Sequence, residues 1–272
     1  MKKNLLFLII ISFLLITTGC SALTSGGGSS SKEISLLLMD TEITKEIGKV
    51  LEEEVAKQGY KLKPIYMNDV IQPDKIVDSK EAYANFFQHS AYLNQFNKDH
   101  GTNVVAAFQV YLVPSGLYST KHKSIDEIPV GGTVSIPVDP ANNGRALFLL
   151  QKKGLLKLKE GVDVVHASIK DIISNPKNLK FKEVDQQMLG RAIKDVDVGF
   201  IFSSQAAVSG LNPKNALVME DQNDEIKPYT MVVGVHPDNK KDGRTEVLRK
   251  AFQNKRIKEV LEKSYPTVTF PW

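Results

Sequence analysis

Cysteine is almost missing from this sequence: of 272 residues only Cys20 is one, and it stands near the N-terminus. A lone thiol closes no internal disulfide, so an exported body must be held together by its own core. Histidine is sparse as well, at positions 89, 100, 122, 166 and 236, without the spacing of metal ligands. No G-x-S-x-G elbow, P-loop or H-E-x-x-H segment occurs. The carboxylate run Glu52-Glu53-Glu54 suits a solvated helix face. These absences argue against an enzyme and against a metal carrier, and no cofactor, metal or catalytic residue is expected.

A stretch long enough to cross a bilayer is also lacking at the N-terminus. Leu5–Ile16 is apolar except for Ser12, and it falls short of the ~20 apolar residues a spanning helix needs. Lys2 and Lys3 before it give the layout of a secretory leader. Thr17-Thr18-Gly19-Cys20 closes the segment and resembles a bacterial lipobox, although Thr17 is less apolar than usual there. That resemblance implies removal of residues 1–19 and lipidation of Cys20, which would hold the protein to a membrane on its extracytoplasmic face. Residues 20–32 continue as a Gly/Ser tether, the composition of a flexible coil.

Charge of one sign is not in excess. Removing Lys2 and Lys3 with the leader takes Lys+Arg from 35 to 33 against 31 acidic residues, a formal charge of +2. Basic and acidic residues are interspersed, so nothing points to nucleic acid.

What is present is an alternation of strand and helix patterns. Ile34–Met39 is a short apolar run suited to a buried strand. Asp40 or Thr41 can cap a helix with the stripe Ile43, Ile47, Val50, Leu51 and Val55, ended by Gly59. Further strands are expected at Lys61–Tyr66, Val104–Val113, Thr133–Val138, around Leu179 and Phe181, and at Val198–Phe202, Leu217–Met219 and Tyr229–Val235. Asp139-Pro140-Ala141-Asn142-Asn143-Gly144 reads as a turn before a helix over Arg145–Lys153. Helical stripes follow at Leu189, Ala192 and Ile193, then at Val247, Leu248, Ala251 and Phe252, and at Ile257, Val260 and Leu261. The order is α/β, with helices covering the sheets.

Three segments are distinctive: Asn85-Phe86-Phe87-Gln88-His89-Ser90-Ala91-Tyr92-Leu93, Val138 through Leu147, and Asn175-Pro176-Lys177-Asn178-Leu179-Lys180. With the lipobox and the terminal Trp272, the chain resembles the methionine-binding, or NlpA, lipoprotein family from about Ile34 to its end. The resemblance implies a type II periplasmic-binding-protein fold, two α/β lobes with a ligand cleft at the hinge. Lobe 1 would hold 33–117 plus 205–272 and lobe 2 would hold 118–204, with crossovers near Tyr111–Tyr118 and Phe200–Ser204. It further implies a monomer that binds L-methionine, a related amino acid or a short peptide and delivers it to an ABC permease and its ATPase.

Physical chemistry gives the same segments a binding role. Arg145, placed after a turn, would open a helix, so its guanidinium and free backbone N–H groups could converge on one anion. In the family this arginine holds the ligand carboxylate. Phe87, His89 and Tyr92 combine aromatic bodies with polar tips, as suits an apolar side-chain pocket. Asn142 joins the candidate contacts, although it and Asn143 read first as turn and cap residues. Three positions depart from the family pattern: Phe202 replaces an asparagine, Val113 precedes Pro114 where a tyrosine or glutamate is common, and Val70 follows Asn68-Asp69 in place of an aromatic. Each removes a polar or aromatic contact, and a buried ammonium without acceptors is costly. Either Asp69 or Ser203 supplies acceptors, or the ligand is a different amino acid, a short peptide or a small carboxylate. A surface lipoprotein that no longer serves transport is the remaining alternative.

Overall fold

The structure is a computed structural model describing residues 32–272. The expected leader, Cys20 with its expected lipidation, and the expected tether up to Ser31 lie outside the described residues.

β1 (Glu33–Met39) buries Ile34, Leu36, Leu37 and Leu38, so both of its faces are covered, as an unbroken apolar run requires. α1 (Glu42–Lys57) is capped by Thr41, whose hydroxyl accepts from the Thr44 amide. It ends at Gln58, and Gly59 turns the chain with φ of 78°. β2 (Lys61–Met67) then runs parallel to β1. α2 (Gln72–Asp78), β3 (Ala84–His89) and α3 (Ser90–His100) follow, and β4 (Val105–Tyr111) completes the first pass.

The chain next builds a second sheet. Its elements in order are β5 (Gly116–Tyr118), β6 (Thr133–Pro137), α4 (Pro140–Lys152), β7 (Lys157–Leu158), β8 (Ile172–Ser174), β9 (Lys180–Val184), α5 (Leu189–Ala192), β10 (Val198–Ile201), α6 (Ser203–Val208) and β11 (Val218–Met219). β12 (Met231–Val235) goes back to the first sheet, and α7 (Gly243–Phe252) and α8 (Lys255–Ser264) pack over it. The strand orders are β2-β1-β3-β12-β4 and β11-β5-β10-β6-β9, with β7 and β8 as a small separate pair. Each large sheet has its own apolar core, one around Leu36, Phe86 and Phe252, the other around Leu147, Val198 and Phe200.

The chain therefore crosses from the first sheet to the second over 112–115 and returns over 220–230. The return was expected at Phe200–Ser204. The strand β11 pairs with β5 inside the second sheet, so residues 205–219 extend that sheet past the anticipated boundary at 204/205. The two crossings touch: the Glu220 amide donates to the Ser115 carbonyl at 2.9 Å.

The segment Asp139–Gly144 corrects a second expectation. It is the first part of α4, because Asp139 caps the helix by accepting from the Asn142 amide and Pro140 fills the first helical position, where no N–H is needed. Gly144 sits inside the helix because a Cβ there would lie 1.8 Å from the Val164 carbonyl oxygen. The strand expected from Tyr229 begins at Met231, since Tyr229 ends a helical turn, Asp224–Tyr229, that contains Pro228. Among the described residues no helix is long and apolar enough to cross a membrane.

Gly144→Ala is expected to destabilise the protein by about 2–3 kcal/mol, since the added methyl meets backbone that cannot yield. Thermal unfolding of both proteins checks this, and an unchanged Tm would contradict the close α4 contact.

Candidate functional site

A cleft of about 1010 Å³ lies between the two large sheets, at the upper end of ordinary ligand pockets. Phe87, His89, Tyr92, Val113, Asn142, Arg145 and Phe202 all line it, as do Val70 and Ser203. Asp69 does not. Its Oδ1 accepts from the amides of Ile71 and Gln72 at 2.7 and 2.6 Å, at the start of α2.

A β-bulge aims the aromatic residues. Asn85 pairs with Gly234 and Gln88 with Val232, so β3 carries one residue more than β12 between those pairs. Asn85 and Gln88 thereby turn to the same buried carboxylate, Asp74, donating at 2.8 and 2.6 Å. Phe86 packs into the core with its ring 4.8 Å from that of Phe252. Phe87 faces the cleft, edge-on to Tyr92 at 6.1 Å.

His89 caps α3, its Nδ1 accepting from the Tyr92 amide at 3.0 Å. In the neutral ring Nε2 therefore carries the proton and donates to Asn142 Oδ1 at 2.9 Å. Asn142 in turn donates from Nδ2 to Asp139 Oδ1, also at 2.9 Å. Burial, helped by the nearby Arg145 charge, pushes the His89 pKa down to about 3, so the ring is uncharged at neutral pH. Both ring nitrogens are used within the protein. His89 offers the cleft an aromatic wall, with its ring 5.0 Å from that of Tyr229, and ties α3 to α4.

Arg145 is buried, at 4% exposure. Its Nε donates to Glu220 Oε1 at 2.7 Å and its Nη2 to Glu220 Oε2 at 2.6 Å, with a longer contact of 3.4 Å to the Val113 carbonyl. The guanidinium lies over the Tyr229 ring, 4.2 Å from its centre. Nη1 has no hydrogen-bond partner among the described residues. Because α4 begins at Pro140, Arg145 lies within the helix and does not open it, although the sequence pattern suggests that it would.

Glu220 escaped the sequence reading. It follows a two-residue strand in an acidic stretch and looks like a solvated charge until the return crossing brings it against Arg145. Ser203 lines the cleft while its hydroxyl donates to the Pro114 carbonyl at 2.5 Å. Among the described residues the acidic side chains lining the cleft are Glu42 and Glu46, both on α1, and no group of acidic, histidine or cysteine side chains could hold a metal ion.

Two parallel-based sheets joined by paired crossings, with a large cleft between them, define the type II periplasmic-binding-protein fold. Known proteins agree. The profile of the NlpA lipoprotein family matches residues 39–272. The D-methionine-binding lipoprotein MetQ of Salmonella typhi is 36% identical over 218 residues, covering 78% of this chain and 79% of that protein. The methionine-binding lipoprotein MetQ of Bacillus subtilis is 34% identical over 233 residues, covering 85% and 83%. Among solved structures, a nutrient-binding protein from Burkholderia cenocepacia bound to methionine superimposes with a TM-score of 0.82 at 34% identity, covering 88% of this chain and 100% of that one. The chain belongs to the NlpA lipoprotein family.

Burial raises the Asp74 pKa to about 6, with the Asn85 and Gln88 hydrogen bonds opposing the shift. The folded protein holds this proton more tightly than the unfolded chain does. The stability it confers is present below the ordinary carboxylate value and is lost as pH rises through about 6. Asp74→Asn keeps an acceptor for both amides and carries no charge. Its stability relative to the native protein should therefore rise by about 2–3 kcal/mol between acid and neutral pH. Denaturant unfolding across that range tests this, and a pH-independent difference would refute it.

Proposed function

We propose that the protein is the extracytoplasmic solute-binding lipoprotein of an ABC importer, anchored through a lipidated Cys20, with methionine or a similar apolar amino acid as ligand. It acts as a non-catalytic receptor and a monomer, passing its ligand to a permease and ATPase. The observation that carries this is Arg145: a buried guanidinium, with one nitrogen unpartnered among the described residues, lining a cleft walled by Phe87, Tyr92, Val113 and Phe202. The ligand carboxylate would bond to Nη1, and the apolar side chain would lie among the aromatic rings. The relatives' affinity for methionine supports the choice of ligand. The lobes would follow the sheets, 33–111 plus 231–272 against 116–219, closing over the solute about the paired crossings.

A second reading keeps the fold and changes the ligand. With acidic cleft residues confined to α1, an α-ammonium beside Arg145 has neutral acceptors such as the Ser203 hydroxyl. A different amino acid, a short peptide or a small carboxylate would suit such a site.

A thermal-shift screen of the full chain in detergent, with L- and D-methionine, other amino acids, short peptides and small carboxylates, separates the readings. A ligand that binds only the folded state raises Tm, by the equivalent of about 2.7 kcal/mol at a hundred times Kd. A shift with methionine supports the first reading, and a shift only with another solute supports the second. No shift with any solute, and none released on denaturation, would refute a transport receptor. Arg145→Ala should weaken the active ligand by about 1.5–3 kcal/mol, the strength of a charge-assisted contact. An unchanged affinity would remove Arg145 from the site.

A further inference from the structure

We infer that Glu220 is a positioning residue for ligand recognition, fixing Arg145 so that Nη1 alone is presented to the cleft. This rests on the reading of Arg145 as the carboxylate-binding residue. The Glu220 side chain is buried, and its carboxylate accepts from Arg145 Nε, from Arg145 Nη2 and from the Ser115 amide, the last at 2.6 Å. Its own amide donates back to the Ser115 carbonyl at 2.9 Å. Glu220 is thus held to the other crossing by main-chain and side-chain bonds together, and it cannot follow the arginine if the arginine moves.

The consequence is geometric. A guanidinium has five N–H groups and can meet a carboxylate in bidentate fashion at its Nε–Nη2 edge or at its Nη1–Nη2 edge. Glu220 occupies the first, and the Val113 carbonyl, 3.4 Å from Nη2, stands against the second. Tyr229 covers one face of the plane at 4.2 Å. What remains is Nη1, pinned in direction by a partner that does not itself line the cleft. Glu220 instead borders a smaller pocket of about 260 Å³ that shares Arg145 and Tyr229 with the cleft. A ligand carboxylate therefore meets a single, pre-aimed nitrogen. Discrimination between a free carboxylate and its amide depends on Glu220 holding that aim.

Two measurements test this on the full chain in detergent. The first needs no ligand. In the native protein the Arg145 Nε–H proton should exchange slowly with water, and in Glu220→Ala it should exchange fast, as read by NMR. Equal exchange in both would overturn the inference. The second compares L-methionine with L-methioninamide by calorimetry. Glu220→Ala should raise the Kd for L-methionine about tenfold or more and bring the two probes close to equal affinity. Glu220→Gln, which keeps the shape and one acceptor, should restore part of the preference, and it serves where the alanine variant does not fold. In an Arg145→Ala background the second substitution should change affinity by less than about twofold. If Arg145→Ala abolishes binding while both Glu220 variants keep native affinity and preference, the inference fails and the proposed function stands. If the native protein binds no L-methionine, that choice of ligand fails and the exchange measurement alone decides on Glu220.

Discussion

The ion pair between Arg145 and Glu220 is the constraint around which the rest of the site is arranged. Two buried charges are costly to desolvate, and their attraction offsets that cost only with close geometry and further hydrogen bonds. Both conditions are met: the contact is bidentate, and the Ser115 amide adds a third bond to the carboxylate. The partners come from α4 in the second sheet's lobe and from the return crossing, with Ser115 on the outward crossing. One buried interaction therefore joins three separate segments where the chain changes sheets. Losing either partner would leave the other charge buried and alone, so the pair is specified as a unit.

A second polar chain complements the first. The Tyr92 amide, His89, Asn142 and Asp139 are linked by successive hydrogen bonds that run from the start of α3 to the start of α4. Two helix caps, His89 and Asp139, are thus part of one network, and both helix starts are fixed at the cleft wall. The polar atoms of His89 are consumed in this work. What the cleft receives from these elements is mostly apolar surface, with Arg145 supplying the charge. On the proposed reading, selectivity would follow from the donor that Arg145 fixes and from the shape of the aromatic and aliphatic wall. Phe202, Val113 and Val70 add to that apolar wall.

Much of the fold was legible from periodicity and caps. The stripe of Ile47, Val50, Leu51 and Val55 and the run Ile34–Met39 gave α1 and β1 nearly to the residue, because both are buried on the faces their patterns present. The misreadings have local causes. Pro-Ala-Asn-Asn-Gly has the composition of a turn, yet Pro140 suits a first helical position and Gly144 is demanded by the Val164 backbone, a contact no local pattern can show. β3 was hidden by its bulge, which breaks the two-residue alternation on which strand recognition depends. Asp69, offered as a ligand acceptor, stands outside the cleft lining, with its Oδ1 bonded to amides at the start of α2.

The sequence by itself determined the class of fold, the family and several of the side chains that meet at the cleft, among them Phe87, His89, Tyr92 and Arg145, because burial patterns and short motifs are local properties. Only the tertiary structure decided which of them keep a free polar atom. His89 and Asn142 turned inward to each other, Asp69 to its own helix, and Arg145 to a glutamate far away in sequence. Hydrogen-bonding capacity is finite, and what is left over for a ligand is known only after every buried donor and acceptor has found its partner in space.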